Sequence, residues 1–165
     1  MLQFNGTVFA AKSTSNKKTQ TTTEASSKSS ASYSAADVKL LACLIYTEAG
    51  NQSYKGKVAV GNVIMNRTKS SVFSHVKTIK EVIYDDKWAV QFGVTVGGSN
   101  SPLAKALRNY KTTKETKAMK SCIKAAKAAL SGEKVIGSRL YFTGYSKRLA
   151  QKHPNYVKIG SHIFY

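Results

Sequence analysis

Residues Ser34–Gly50 read SAADVKLLACLIYTEAG, and this stretch decides the fold class. At about 3.6 residues per turn, Leu41, Leu44 and Ile45 share a helical face with Glu48, so a carboxylate stands where the apolar stripe should continue. Ser34, followed three residues on by Asp37, has the pattern of a capping box, and Gly50 is the expected C-terminal stop. Glu48 is therefore expected to point inward or into a cleft from the last turn of this helix. Burial disfavours its anion and the negative end of the helix dipole lies close by, so both raise its pKa. A carboxylic acid still protonated near neutral pH is what a general acid needs to protonate a leaving-group oxygen, as in glycosidic bond cleavage. The competing reading is a Glu that snorkels from the helix end or pairs with a lysine, because structural ion pairs also perturb pKa values.

Outward from this helix the pattern stays mainly helical. KVAVGNVIMNR (57–67) is apolar almost all round, which predicts a central helix packed against the Glu48 helix, with Asn66 and Arg67 at its outgoing end. Those two are read as holding the loop that follows, with no chemistry assigned. Thr78 and Glu81 form a second capping box opening a short helix to about Tyr84, and Ser101-Pro102 sets a cap and an N1 proline before LAKALRNY. A lysine-striped helix follows from Lys114 and stops near Gly132, its apolar side carrying Met119, Cys122, Ile123, Ala126 and Leu130. RLYFTG (139–144) and VKIGSHIFY (157–165) are rich in aromatic and β-branched residues and are expected to pair as a small C-terminal sheet. The loop GVTVGGSNS (93–101) is read as too glycine-rich for regular structure, and it lacks the lysine and spacing of a phosphate-binding loop. The fold class is thus α+β, mainly helical, with a small antiparallel sheet.

Composition bounds the rest. Residues 12–33 hold 12 Ser or Thr among 22 positions with four Lys, so residues 1–33 are read as a disordered tether and 34–165 as the domain. No apolar run is long enough to span a membrane, and MLQFNGTVFAA is too short, and lacks the charged start, for a signal peptide. Cys43 and Cys122 sit among apolar helical residues and read as small buried hydrophobes rather than a disulfide. His75, His153 and His162 are dispersed, with no HExxH and no metal-ligand spacing, so no metal and no cofactor is expected. The net charge of +18, from 26 basic and 8 acidic residues, calls for a polyanionic partner. Lys105, Arg108, Lys111, Lys114, Lys117, Lys120, Lys124 and Lys127 recur every three or four residues with only Glu115 against them. No zinc-finger, RNP or other nucleic-acid motif accompanies them, which leaves an anionic bacterial wall as the candidate.

The run LLACLIYTEAGNQSYKGKVAVGNVIMNR (40–67) resembles the opening motif of the SleB-type cell-wall hydrolase family, the spore cortex-lytic enzymes and their vegetative relatives. KEVIY (80–84), QFGV (91–94), AAKAALSGEKVIGSRLYF (125–142) and IGSHIFY (159–165) follow in order, so the resemblance covers essentially residues 36–165. It implies a lysozyme-like fold, extracytoplasmic action on peptidoglycan by lytic transglycosylation, and a catalytic acid that matches Glu48. The resemblance also leaves a place for an accessory germination protein as partner. Many members carry further Glu after the catalytic one, where this chain has Gln52 and Lys55. That difference weighs against a mechanism with two carboxylates. Asp85 and Asp86 remain as possible second acids, although adjacent Asp residues after a helix usually serve a turn.

Gln91 and Phe92 match a family block, and an amide beside an aromatic ring suits an acetamido sugar. Tyr141 and Phe142 are candidates for the same task, with strand alternation allowing only one of them to face a groove. Tyr46 and Thr47 are assigned to packing, and His162 to a structural hydrogen bond. Two other function classes stand beside the glycosidase: an N-acetylmuramoyl-L-alanine amidase, which would need zinc, and a non-catalytic cationic wall-binding protein, which would tolerate Glu48→Gln.

Overall fold

Ser34 starts the first helix, α1 (Ala35–Ala49), by a complete capping box: its hydroxyl accepts from the Asp37 N–H, and the Asp37 carboxylate accepts from the Ser34 N–H. The computed structural model describes residues 33–165. All but the last residue of the tether assigned to 1–33 lies outside them. Leu41 to Ile45 are fully buried, so α1 is covered on every side midway along its length. Its end falls at Gly50, as expected. Gly50 stays right-handed at φ −56°, and the chain leaves the helix through a turn in which Gln52 N–H donates to Ala49 O. The glycine answers a close approach instead: a Cβ there would lie 2.5 Å from the Tyr46 carbonyl oxygen.

Ser53 then caps α2 (Tyr54–Arg67), whose residues from Gly56 to Met65 are all buried. The all-round apolar reading holds, and the reason is that α1 and α6 (Lys117–Leu130) both pack on this helix. α6 also packs along α1. Gly61 permits the contact with α6, since a Cβ there would sit 2.8 Å from the Ala129 Cβ. Between α2 and α6 run three short helices, α3 (Ile79–Ile83), α4 (Pro102–Arg108) and α5 (Tyr110–Thr113). The expected caps on Thr78 and Ser101 are formed. The lysine-striped helix starts later than predicted. Thr116 caps it by accepting from the Met119 N–H, and Lys114 lies in the preceding turn. Met119, Cys122, Ala125, Ala126 and Ala129 face the core, while Lys117, Lys120, Lys124 and Lys127 are exposed. The loop 93–101 also corrects expectation, forming two single 3₁₀ turns, Gly93–Thr95 and Gly98–Asn100. Gly97 and Gly98, at φ 106° and 54°, reverse the chain between them.

The C-terminal region is an antiparallel sheet of β1 (Phe142–Gly144), β2 (Val157–Ile159) and β3 (His162–Phe164) in the order β1-β3-β2. Phe142 pairs with Phe164 and Gly144 with His162. A helix that the sequence pattern did not announce, α7 (Lys147–Lys152), connects β1 to β2. Side chains of α2 hold the approach to the sheet. Asn62 donates to Glu133 O and accepts from Val135 N–H, and Asn66 Nδ2 donates to both Gly137 O and Arg139 O at 2.9 Å. Asn66 therefore secures the segment before β1, not the loop after its own helix. Gln52 reaches the β2–β3 turn, accepting from Ser161 N–H. Cys43 and Cys122 are free and buried, and burial pushes each thiol up to about 11. No described helix is long and apolar enough to cross a membrane.

Candidate active site

Glu48 opens onto a cavity of about 220 Å³ bounded by four parts of the fold. α1 contributes Glu48 and α2 contributes Arg67, each from its last turn. The segment before the first 3₁₀ turn adds Gln91 and Phe92, with Gly93 beside them. The sheet closes the cavity with Phe142, Thr143 and Gly144 of β1 and His162 of β3. Burial of Leu44 and Ile45 below it carries Glu48 partly inward, and desolvation raises its carboxyl above the ordinary value of 4.5. Glu48 makes no ion pair among the described residues, and it is the sole carboxylate lining this cavity. The snorkelling and lysine-pair readings of this residue therefore find no support in the geometry.

Of the residues singled out for substrate, three line this cavity and one does not. Gln91 is half-buried, with Nε2 donating to Ala89 O and Oε1 accepting from Arg67 Nη1 at 3.0 Å. Phe92 is 2% exposed, so its ring forms a wall beneath the site and offers little face to a ligand. Phe142 stacks on Phe164 and presents itself to the cavity. Tyr141 does not line the cavity, as alternation with Phe142 requires of one of the two, and it stacks on Tyr165 at 5.6 Å. Tyr46 is exposed, contrary to its assignment to packing, whereas Thr47 folds back to donate to the carbonyls of Cys43 and Leu44.

Two cavity residues take places that the local sequence does not announce. His162 is expected to make a structural hydrogen bond, yet its Nδ1 is buried without a partner among the described residues, and its ring packs edge-on against Phe142. Desolvation lowers its pKa, which favours the neutral imidazole. Arg67 was left without chemistry. It is 4% exposed, donates from Nε to Leu140 O, and lies over the rings of Phe73, Phe92 and Tyr141. The available signal was a charge at the end of a helix apolar on every other side. Asp85 is no second acid for this cavity. Its Oδ1 is 2.9 Å from His75 Nε2 and accepts from Lys87 N–H, which combines an ion-pair geometry with the expected turn. Asp86 is exposed. A wider hollow of about 450 Å³ between Arg139, Lys152–Asn155 and Tyr165 has no Asp or Glu among the described residues that line it.

The site is thus a polar cleft between a helical core and a small sheet, with a single acid held above its ordinary pKa. The chain belongs to the cell wall hydrolase family, whose model matches residues 51–165. It is 32% identical over 136 residues to a spore cortex-lytic enzyme of Bacillus cereus, a match that covers 80% of this chain and 45% of the relative. It is also 40% identical over 55 residues to a spore cortex-lytic enzyme of Oceanobacillus iheyensis, covering 33% of this chain and 19% of that one. The chain thus spans under half the length of the curated relatives it matches. Among solved structures, the catalytic domain of the germination-specific lytic transglycosylase SleB from Bacillus anthracis shares the fold. That comparison has a TM-score of 0.53 and 24% identity, and covers 80% of this chain and 95% of that domain.

Proposed function

We propose that this chain is a lytic transglycosylase that cuts the bond between N-acetylmuramic acid and N-acetylglucosamine in peptidoglycan. The observation that carries the reading is Glu48, the lone carboxylate of the cavity, with burial holding its proton. Glu48 protonates the glycosidic oxygen as the bond breaks, then as carboxylate takes the proton of the muramoyl C6 hydroxyl, which closes on C1 to give a 1,6-anhydro end. One carboxylate serves both steps, whereas hydrolysis with inversion uses a second one set apart to activate water. The relatives, spore cortex-lytic enzymes and the catalytic domain of a germination-specific lytic transglycosylase, support the same substrate class. Gln91, Phe142 and His162 are the groups disposed to grip the sugars, with Phe92 as their backing.

The substrate lies outside the cytoplasm, in spore cortex or wall. The exposed lysines of α6 supply long-range attraction to such an anionic matrix, and among the described residues only Lys120 is in an ion pair there, with Glu115 at 2.9 Å. Digesting cortex and vegetative peptidoglycan in parallel, with mass spectrometry of the released fragments, tests the reading. Anhydromuramic ends are expected. Reducing muramic ends would mean hydrolysis, and free stem peptides abolished by a chelator would mean an amidase. Attraction through α6 predicts that binding to purified sacculi weakens between about 0.05 and 0.5 M salt, as screening of exposed charges requires.

A further inference from the structure

Arg67 is a buried cation with no direct ion pair among the described residues. Asp85 lends it a favourable field at longer range, with Oδ1 bonded to His75 and Oδ2 buried without a partner. Taking a charge out of water without a partner costs several kcal/mol, so a chain that keeps one at a cavity wall has a use for it. A guanidinium carries five N–H donors in a rigid fork. Here Nε is spent on Leu140 O at 2.8 Å and one Nη1 donor on Gln91 Oε1, while the rings of Phe73 and Phe92 clamp the plane at 4.5 and 5.3 Å. The remaining donors have no partner among the described residues. Gln91 is fixed by the same contact and by Ala89 O, which leaves one amide N–H free on the cavity side of the pair. The site thus offers immobile donors and a positive charge beside a single acid.

Both sugars flanking the scissile bond carry an acetamido group. They differ in the 3-O-lactyl ether of the muramoyl residue, which ends in an amide carbonyl where a stem peptide is attached and in a carboxylate where it has been removed. We infer that Arg67, held in place by Leu140 O and Gln91, receives the acyl oxygen of this lactyl group and so distinguishes the muramoyl sugar from its neighbour. The inference rests on the peptidoglycan reading above. It makes Arg67 a binding and specificity residue, and Gln91 its positioning partner.

The test uses the purified chain on two glycans, strands bearing stem peptides and the same strands with stems removed enzymatically. Arg67→Met is expected to raise KM about 10- to 100-fold on the stem-free strands, the range for a lost hydrogen bond to a charged group, with a smaller rise on the stem-bearing ones. Because this contact is made equally in the ground and transition states, kcat should change little. Gln91→Glu serves if Arg67→Met does not fold, judged by circular dichroism: it neutralises the guanidinium in place and should reproduce the selective rise on stem-free strands. Equal losses on both glycans would make Arg67 a structural residue and overturn the inference. A wild-type chain that cleaves neither glycan but binds stem-free strands in an Arg67-dependent way would overturn the proposed reaction and leave the lactyl subsite standing; loss of both would sink both.

Discussion

The two helices that meet at the cavity end in opposite charges, and their surroundings treat those charges in opposite ways. α1 delivers Glu48 half-buried and, among the described residues, without an ion pair, and desolvation raises its pKa. α2 delivers Arg67 almost fully buried, bonded at two nitrogens and walled by three aromatic rings. A group that must give up and regain a proton cannot be held by a strong partner in one state, because that partner would fix its pKa. A group that must present charge at one place needs the reverse, a frame that holds it rigid. The same cavity meets both demands by drawing its acid and its cation from different helix ends.

The comparison breaks most visibly at the acid. Glu48→Gln is expected to lower turnover about 10²- to 10⁴-fold, the usual contribution of general acid–base catalysis, while wall binding persists. Fragment release by the variant at wild-type rate would remove Glu48 from the mechanism. The common frame of both charges comes next. Gly61→Val would force a side chain into the space of Ala129 and should cost about 1–3 kcal/mol of stability by denaturant titration. Activity per folded molecule should then stay near wild type, and a selective loss of activity instead would show that α6 tunes the site.

Asn66→Ala acts on the cation's side alone. It frees two carbonyls before β1 and should cost about 1 kcal/mol, with KM rising before kcat falls because β1 carries the sheet wall of the cavity. A smaller effect sharpens the acid's side. The folded-state pKa of Glu48 is raised, so the folded chain holds this proton more tightly than the unfolded one. Its contribution to stability is therefore lost as pH rises from the ordinary carboxylate value of 4.5 through the raised one, and is flat above that. Glu48→Gln should flatten that slope and leave the variant at least as stable as wild type at pH 7. A variant less stable at pH 7 would mean that the ionised carboxylate has a structural partner.

The helical frame was legible because its signals are local. Ser34, Thr78 and Ser101 announced their helices by spacing alone, and the period of the apolar residues placed Glu48 on an inward face. Gln91 and Phe92 were suggested by a family block, and Phe142 by its place in the expected sheet, where alternation allows one of Tyr141 and Phe142 to face a groove. Helix α7 escaped notice because six residues give too little period to read, and the 3₁₀ turns escaped because glycine signals permission for many turns without choosing one.

By itself, then, the sequence determined where the longer helices lie, that the end of the first helix holds an acid against an apolar face, and that the chain is strongly basic. Each follows from neighbours a few residues apart. Only tertiary structure decided that Arg67 and His162 join Glu48, that Tyr141 turns away while Phe142 turns in, and that Asn62 and Asn66 tie α2 to the segment leading into the sheet. Those outcomes depend on contacts between groups well separated in the chain, such as Asn62 with Glu133 at a separation of 71, and no local pattern encodes which distant donor will meet which carbonyl.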